Sequence, residues 1–369
     1  MRNRMQTTLW ARIGLIAVIV VAVSSMAHAK DKREMVVMTQ NLYLGSSLDA
    51  AIGAPDVPSF IGAVAAIYGT VLATDFPARA EAIADQIAAY EPDIIGLQEV
   101  SLWQVINAAP GLEAPPGFDF LAILQEALVD RGLSYSVAAV SENADIGTGL
   151  PGLPGIPLAL CLTPTFDIYC FVRLLDRDVI LVNDNNPNLE VFNPQDGNYE
   201  SQVVLDTPVG PLSFNRGWAS VDGTFEGKKF TFVNTHLEIG GPGGFADAQE
   251  AQGQEFLAGP AKTGGAVIAV GDFNSRADGS STTTYADLTK SYFDDAWDDP
   301  DDLGYTCCQN ETLTNTVSGL RSAIDFVFTH APVRALSAHV IGDELDLVMN
   351  PPPEWPSDHA GVVAELRIH

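Results

Sequence analysis

Short apolar runs along this chain repeatedly stop at a cluster of polar residues. Runs of this length, bounded by Gly, Asn, Asp or Pro, predict buried β-strands. Because a sheet gathers the ends of its strands at one edge, we expect the polar clusters to meet in one cleft. Six segments have this pattern: residues 36–41, 94–99, 232–236, 267–274, 323–328 and 357–363.

Helical periodicity alternates with the predicted strands. Pro77 begins a predicted helix that ends at residues 91–93 and leads into the strand before Glu99. Its apolar inner positions recur at spacings of three and four residues: Ala80, Ile83, Ala84 and Ile87. The same order of helix and then strand is predicted twice more, at residues 120–131 and 135–140 and at residues 246–257 and 266–270.

A hairpin is predicted between residues 218–221 and 230–234, with its turn at Gly227. Helices that alternate with strands, mixed with hairpin-like strand pairs, indicate an α/β sandwich. The chain has no internal repeat and no long polar linker, so one large domain is expected after the N-terminal segment.

Three connecting segments have unusual composition. Residues 146–170 are rich in Gly, Pro and Leu, and we expect a large loop over the site that contacts an apolar substrate or packs on its own protein. Residues 45–76, with an apolar helical stretch at 60–71, are expected to border the cleft. Residues 294–302 contain six aspartates but lack the ligand spacing of an EF-hand, so a solvated acidic turn is expected.

The N-terminus has the three-part layout of a secretory signal peptide. Its parts are Arg2, Arg4 and Arg12, an apolar stretch at residues 13–23, and small residues at 27–29. We expect cleavage after Ala29, a mature domain of residues 30–369, and a secreted or periplasmic location. A membrane anchor is the alternative, but spanning needs roughly 18 or more apolar residues and Arg12 interrupts this stretch. No transmembrane anchor is expected after cleavage.

The mature chain is strongly acidic. The sequence has 19 Lys and Arg residues against 47 Asp and Glu residues, a formal net charge of −28, and loss of the three signal arginines would make it −31. Such a field repels bulk nucleic acid unless metal ions or a local basic groove intervene. Alternatively, the acidity serves solubility and carries no information about the substrate.

Cysteines in an exported chain are expected to form disulfides. The four cysteines allow three pairings, and we favour Cys161 with Cys170, closing a short loop, and Cys307 with Cys308 as a bridge between adjacent residues. The sequence does not fix this connectivity. Zinc binding is not expected, because no second Cys or His pair has ligand spacing near either one.

The polar clusters contain the groups that metal-assisted phosphate-ester cleavage needs. This reaction requires a divalent cation, a base that activates water, and donors for the developing charge. Glu99 is the predicted anchor for Mg²⁺, with the amide oxygen of Asn41 beside it. Asp272 would polarise water or hold metal, and the Asn274 amide would donate to the pentacoordinate phosphate. Each of these residues is also common at turns and strand ends.

Two histidines complete the predicted site. His236 is either a buried structural histidine or a cation and proton donor at the phosphate. His359 follows Asp358, and Asp325 lies inside an otherwise apolar strand, where a buried acid needs a partner. The imidazolium of His359 would be that partner, oriented by Asp325.

Together these clusters resemble the endonuclease/exonuclease/phosphatase superfamily, with its deoxyribonuclease I-like fold, over essentially the whole mature chain. The resemblance rests on residues 40–41, 98–99, 234–236, 271–274, 324–326 and 357–359. It implies an α/β (α+β) fold, a four-layer sandwich of two mixed β-sheets flanked by helices, with the site at one sheet edge. Residues 30–369 would then form the catalytic domain.

The same resemblance implies roles for individual residues. The implied metal ligands are Asn41, Glu99 and Asp358, and the implied catalytic residues are His236, Asp272, Asn274, Asp325 and His359. The implied cation is Mg²⁺, with Mn²⁺ or Ca²⁺ as alternatives. Whether Asp272 or His359 is the general base stays open. Many members have Arg directly before the Ile-Asp pair, whereas Ala323 stands there in this chain; the nearest arginine is Arg321, and Arg216 is a candidate replacement.

The sequence therefore predicts a secreted, metal-dependent phosphoesterase that hydrolyses a phosphodiester or phosphomonoester by in-line attack of water. A nuclease is the first substrate class. The long apolar segment at 146–171 motivates an alternative, a sphingomyelinase or phospholipase C-like lipid phosphodiesterase. A non-catalytic binding module is a third possibility, although no acid or histidine of the motifs is missing. Beyond a nucleic acid or phospholipid substrate, no stable protein partner is implied.

Overall fold

The structure is a computed structural model that describes residues 34–148, 150, 152–297, 299, 302, 304–345 and 355–369. The predicted signal peptide, residues 1–29, lies outside the described residues. The strands are β1 (Met35–Asn41), β2 (Ile94–Gln98), β3 (Leu102–Asn107), β4 (Phe118–Asp119), β5 (Tyr135–Ile146), β6 (Ile156–Pro157), β7 (Cys170–Asn183), β8 (Leu189–Asn198), β9 (Val203–Thr207), β10 (Gly210–Phe214), β11 (Gly217–Phe225), β12 (Lys228–His236), β13 (Val267–Asp272), β14 (Asp294–Asp295), β15 (Asp325–His330), β16 (Val333–Ile341) and β17 (Gly361–Ile368). The helices are α1 (Asp49–Ile52), α2 (Val57–Ala73), α3 (Phe76–Tyr90), α4 (Phe120–Asp130), α5 (Phe245–Ala258) and α6 (Thr284–Ser291).

The first sheet has nine strands in the described part of the chain. Its main path is β16-β17-β1-β2-β7-β3-β4, and β5 and β6 also pair with β7. Strands β1 and β2 are parallel, whereas their outer neighbours β17 and β7 run antiparallel to them. The central parallel pair therefore ends at one edge of the sheet, and β17 begins at that edge.

The second sheet has six described strands in the order β14-β15-β13-β12-β11-β8, and β9 and β10 form a separate pair. Strands β12 and β13 are parallel, and β11 and β15 flank them antiparallel. The predicted hairpin is confirmed: Phe225 pairs with Lys228, and the two turn residues Glu226 and Gly227 have φ of 50° and 76°. Positive φ at both positions is typical of the turn that joins two-residue hairpins.

Alternating side chains of the strands build the layers. In β1, Met35 and Val37 enter the core between the two sheets, while Val36 and Met38 enter the core beneath the helices. Helices α1 to α4 cover the outer face of the first sheet, and α5 and α6 cover part of the outer face of the second. This is the predicted four-layer α/β sandwich.

The two sheets approach closely near the strand ends that carry the polar clusters. A Cβ atom on Gly96 would lie 2.6 Å from Asn234 Oδ1, so a larger residue at this position would push the sheets apart. Gln98 Nε2 donates a hydrogen bond to the same Asn234 oxygen at 2.6 Å, and Asn234 Nδ2 donates to the Leu97 carbonyl at 2.9 Å. These amide contacts fix the position of the sheet edges relative to each other.

The predicted placement of residues 146–170 over the site is wrong. This segment packs on the helix-covered face of the first sheet, where Ile156, Leu158 and Cys161 join the core that contains α2. Its described residues do not line the cleft, and those of segment 45–76, which forms α1 and α2, do not line it either. The apolar side chains of this segment are buried against α2, a helix without charged residues. This burial removes them from water as effectively as contact with an apolar substrate would.

The acidic segment 294–302 is only partly a turn. Asp294 and Asp295 form β14 and pair with β15, and Asp295 accepts hydrogen bonds from the Tyr285 hydroxyl and the Trp297 backbone, both at 3.0 Å.

Among the described helices, none alone is long and apolar enough to cross a membrane; α2 and α3, bent by 46°, meet that requirement only as a pair.

Candidate active site

Both parallel strand pairs end at the same edge of the sandwich. Strand β1 ends at Asn41 and Glu99 follows β2, while β12 ends at His236 and β13 ends at Asp272. Six of the eight predicted site residues line one open cleft of about 580 Å³: Glu99, His236, Asp272, Asn274, Asp358 and His359. The other two, Asn41 and Asp325, are buried directly behind it. All predicted site residues therefore converge.

Glu99 lines one end of the cleft, and Asn41 is buried behind it. Glu99 has a φ of 54°, which ends the strand sharply, and its Oε2 accepts a hydrogen bond from the Leu44 backbone at 2.6 Å. The Asn41 side chain is engaged on both sides: Oδ1 accepts from the Tyr43 backbone at 2.9 Å, and Nδ2 donates to Asp272 Oδ2 at 3.2 Å. Asn41 thus links the Glu99 end to the centre of the site.

The turn after β13 fixes Asp272 and Asn274. Gly271 has a φ of 147°, and a Cβ there would collide with the Thr235 carbonyl oxygen of the parallel neighbour, so glycine is required. Asn274 has a φ of 49°; its backbone N–H donates to Asp272 Oδ1 at 2.9 Å and its Nδ2 donates to the Leu237 carbonyl at 3.0 Å. The turn therefore fixes Asp272 through Oδ1, and Oδ2, which accepts from Asn41, is the oxygen that approaches the two histidines.

Asp272 lies between the two histidines. Its Oδ2 is 3.4 Å from His236 Nε2 and 3.9 Å from His359 Nε2. Burial, with a further contribution from the Asp325 charge, raises the pKa of Asp272 to about 7, although the charge of His359 opposes this rise. A carboxylate with a pKa in this range can gain or lose a proton near neutral pH.

His359 is paired with the buried Asp325. The ring Nδ1 lies 2.8 Å from Asp325 Oδ2, and the His359 backbone donates to Ser357 Oγ at 3.1 Å. Burial alone would favour the neutral ring, but the charges of Asp325 and Asp358 outweigh it and hold the pKa of His359 well above its ordinary value. This histidine is therefore cationic at neutral pH.

His236 has the opposite environment. One guanidinium nitrogen of Arg216 lies 3.1 Å from each of its ring nitrogens. Burial, the Arg216 charge and the His359 charge together lower the pKa of His236 well below its ordinary value, so this ring is neutral. Arg216 also donates to Glu238 Oε1 at 3.4 Å and lines the cleft. Arg321 does not line it and donates instead to the Cys308 and Gly319 carbonyls.

Residues near Arg216 include acids that the sequence analysis did not assign to the site. Asp178 Oδ1 lies 4.0 Å from His236 Nδ1, and its Oδ2 accepts from Asn143 at 2.9 Å. Burial, with the charge of Glu99, raises the pKa of Asp176 to about 7. The sequence did contain a signal for these two acids. Asp176 and Asp178 occupy alternate positions of a largely apolar strand, so their side chains face the same side of the sheet. Buried acids need partners, which would have placed both near other charged groups.

Both disulfides have the pairing that the sequence favoured. Cys161 is bonded to Cys170, and both are buried on the helix-covered face of the first sheet. Cys307 is bonded to Cys308, and both residues line the cleft beside His359.

The oxygens left free indicate whether the site fits a divalent cation. Asp358 Oδ1 and Asp325 Oδ1 are shielded from solvent and have no hydrogen-bond partner among the described residues. Ligand atoms of Asp272, Asp325 and His359 also lie within 4.8 Å of one another, although a hydrogen bond already joins the last two. Carboxylate oxygens are the ligands that hard cations prefer, so the acidic cleft can hold such an ion.

Comparisons with known proteins agree with this geometry. The model of the Endonuclease/Exonuclease/phosphatase family matches residues 38–359. No curated protein matches the sequence. A family protein from Leptotrichia buccalis has 16% identity and a TM-score of 0.54, covering 90% of this chain and 100% of that one. One from Beutenbergia cavernae has 20% identity and a TM-score of 0.52, covering 91% and 72%.

A mannosyl-6-phosphatase from Bacteroides thetaiotaomicron has 18% identity and a TM-score of 0.50, covering 90% of this chain and 99% of that one. At these identities the likeness concerns the fold alone. The family model, by contrast, spans the polar clusters from β1 to His359. The chain therefore belongs to the endonuclease/exonuclease/phosphatase family.

Proposed function

We propose that this chain is an exported, Mg²⁺-dependent phosphoesterase that hydrolyses a phosphodiester or phosphomonoester bond by in-line attack of water, with nucleic acid as the first substrate class. The observation that carries the proposal is the position of Asp272. Its Oδ2 faces a cationic histidine, a neutral histidine and Asn41 at one edge of the sandwich. This arrangement provides a proton acceptor beside groups that stabilise negative charge.

Asp272 is the general base in this mechanism. Its pKa of about 7 matches neutral pH, where a base is most effective when it is both deprotonated and basic enough to take a proton from water. His359 has a pKa well above its ordinary value, so it is a cation held in place by Asp325 and stabilises the phosphate charge that develops during attack.

The opposite wall supplies donors to the phosphate. Arg216 lines the cleft and has an Nε without a hydrogen-bond partner in the described part of the protein. The amide of Asn274 and the neutral ring of His236 lie 3.3 Å apart beside it. Fixed donors of this kind stabilise a transition state because they need no reorganisation when charge develops.

Mg²⁺, or Mn²⁺ or Ca²⁺ in its place, would be held by Glu99 and Asp358, with Asn41 next to them. When bound, the ion supplies positive charge that neutralises phosphate oxygens. The free, shielded oxygen of Asp358 supports this assignment. The Asn41 amide oxygen already accepts from the Tyr43 backbone, so Asn41 would share its oxygen between the ion and the chain.

Cleft composition favours a nucleic acid over a lipid. Two arginines, Arg216 and Arg276, line the cleft beside its carboxylates, and together with a bound cation they would supply the positive charge that a polyanion needs. The lipid alternative depended on the apolar segment 146–171, and that segment is placed away from the cleft. The non-catalytic alternative has no support from the site, since every predicted acid and histidine is present.

Purified protein of residues 30–369 should be assayed against plasmid DNA, RNA, sphingomyelin and a sugar phosphate, each with Mg²⁺, Mn²⁺, Ca²⁺ or EDTA. We expect nuclease turnover with Mg²⁺, loss of turnover with EDTA, and a fall of about 10²–10⁴-fold for Asp272→Ala. Asp206→Asn, an exposed carboxylate of β9, is the matched control and should keep full activity. Turnover that survives both EDTA and Asp272→Ala would contradict the mechanism, and activity on sphingomyelin alone would contradict the substrate class.

A further inference from the structure

The Cys307–Cys308 disulfide lies beside His359. Both Sγ atoms and a ring nitrogen of His359 lie within 4.8 Å of one another. Both cysteines also line the cleft, so the disulfide is part of the wall against which a substrate would lie. The other disulfide, Cys161–Cys170, is buried in the core of the first sheet and its outer helices and does not line the cleft.

The backbone around Cys307 binds both members of the His359–Asp325 pair. Cys307 forms isolated β-bridges with Ser322 on one side and His359 on the other. The residue before it, Thr306, accepts hydrogen bonds at Oγ1 from the backbone of Asp325 at 3.2 Å and at its carbonyl from Ala360 at 2.7 Å. Gln309 donates to the Asp358 carbonyl at 2.9 Å. The short segment 306–309 therefore holds the two strand ends that carry the pair.

A bond between adjacent residues cannot stabilise the protein as an ordinary disulfide does. The stabilisation from a disulfide grows with the length of the loop that it closes in the unfolded chain, and Cys307 and Cys308 close no loop beyond their own peptide. The bond instead restricts the backbone of these two residues. Because this backbone is the bridge to His359, the restriction acts on the site.

We propose that the Cys307–Cys308 disulfide is a positioning element for His359, and that its reduction to two thiols switches the phosphoesterase to a weakly active state. This inference rests on the proposed function. Reduction would release the backbone of segment 306–309 and place a free thiol of Cys307 beside the imidazole. Displacement of a reacting group by as little as about 1 Å can cost about 10²-fold in rate.

The reduction step is accessible from the cleft. Cys308 is half-buried, whereas Cys307 is buried, so a dithiol reductant attacks Cys308 Sγ. The S–S bond breaks, its electron pair leaves on Cys307 Sγ, and that sulfur takes up a proton. The second thiol of the reductant then displaces Cys308 Sγ, which also takes up a proton, and the reductant closes its own disulfide. Reoxidation reverses the transfer of two electrons and two protons.

The test compares oxidised and dithiothreitol-reduced protein of residues 30–369, with the reductant removed and the free thiols located by alkylation and peptide mass. We expect reduction of Cys307 and Cys308 to lower kcat by about 10–100-fold with a smaller change in KM, and reoxidation to restore it. The pH titration of the His359 ring, followed by NMR and assigned with His359→Gln, should shift between the two states.

Two variants separate the disulfides. Cys161→Ala/Cys170→Ala is the matched control and should respond to the reductant as the natural sequence does. Cys307→Ser/Cys308→Ser should have the low kcat of the reduced protein and no response to the reductant. Should this variant not fold, the comparison of oxidised and reduced natural protein still decides the question.

Unchanged kcat, pH profile and His359 titration in protein whose Cys307 and Cys308 thiols are shown to be free would overturn the inference. Failure of the proposed function gives a different result: the oxidised protein would hydrolyse none of the phosphoesters, while the His359 titration would still report whether the disulfide positions the ring.

Discussion

The two histidines of the cleft are the same side chain in opposite electrostatic surroundings. Both are buried and both approach Asp272 Oδ2, at 3.4 Å and 3.9 Å. His236 has the guanidinium of Arg216 against its ring, which lowers its pKa together with burial. His359 has Asp325 at 2.8 Å, and the pKa rises although burial opposes it.

Burial alone does not decide the charge of a histidine in this site. Desolvation disfavours the charged ring on both sides of the cleft, and the sign of the nearest charge then determines which form is present. The result is a neutral donor or acceptor on the His236 side and a cation on the His359 side. Asp272 between them can take up a proton from water while both histidines keep their charge.

Replacing Asp325 by Asn should have the largest effect on this asymmetry. The variant keeps the shape of the side chain but removes the charge that raises the pKa of His359, so the pKa should fall and the ring should become neutral at pH 7. We expect kcat to fall by about 10²–10³-fold. The measurements are steady-state kinetics and the NMR titration of the His359 ring.

Asp358→Asn is the informative comparison for this prediction, since it also removes a carboxylate near His359 but leaves the 2.8 Å hydrogen bond. It should lower the pKa of His359 less than Asp325→Asn does. A His359 titration that Asp325→Asn leaves unchanged would show that the ring is not controlled by this carboxylate.

The sequence was sufficient to predict the meeting of the strand-end residues but not their electrostatic surroundings. Parallel strands must end at a common edge, so apolar runs followed by Glu99, His236 and Asp272 specify a shared cleft. The neighbours of His236 are Asp178 of β7, in the first sheet, and Arg216, which directly precedes β11 of the second sheet. No local pattern fixes which residues of two packed sheets face each other.

Placement of the apolar segment 146–170 failed for a related reason. Its composition shows that it must be buried, but burial against the apolar helix α2 and burial against a substrate satisfy the same requirement. Only the tertiary structure distinguishes the two. The acids Asp176 and Asp178, by contrast, had the same pattern as Asp325, a carboxylate inside an apolar strand, and the same argument would have placed them near the site.

Removing the charge on the His236 side should have a smaller effect. Arg216→Met keeps an unbranched apolar side chain and removes the guanidinium charge, so the pKa of His236 should rise toward its ordinary value. We expect kcat/KM to fall by about 10–100-fold, because one donor to the phosphate is lost. Kinetics and the NMR titration of His236 measure the two consequences.

Arg131→Met is the matched control for Arg216→Met. Arg131 also bonds to carboxylates, Glu81 and Asp85, each at 2.7 Å, but it lies away from the cleft. Its replacement should leave the kinetics and the His236 titration unchanged. A pKa of His236 that stays low in Arg216→Met would assign the effect to burial and the His359 charge and remove the proposed role of Arg216 in the contrast between the two histidines.

The smallest effect on catalysis is expected from a change that acts on stability, on the His236 side, where Asp176 is buried. Its folded-state pKa of about 7 lies above the ordinary value of 3.8, so its contribution to the free energy of unfolding is full below about pH 4 and is lost as pH rises through 7. Since one pKa unit corresponds to about 1.4 kcal/mol, the rise of about three pKa units predicts that Asp176→Asn is more stable than the natural sequence by up to about 4 kcal/mol at pH 8 and by only about 1 kcal/mol at pH 4.5. Urea unfolding at the two pH values measures the difference. Asp206→Asn should change stability by less than about 0.5 kcal/mol at both pH values. An Asp176→Asn difference that is the same at pH 4.5 and pH 8 would mean that the folded-state pKa of this carboxyl is not raised, because Arg216 stabilises the ionised form, and the two sides of the cleft would then tolerate buried acids equally well.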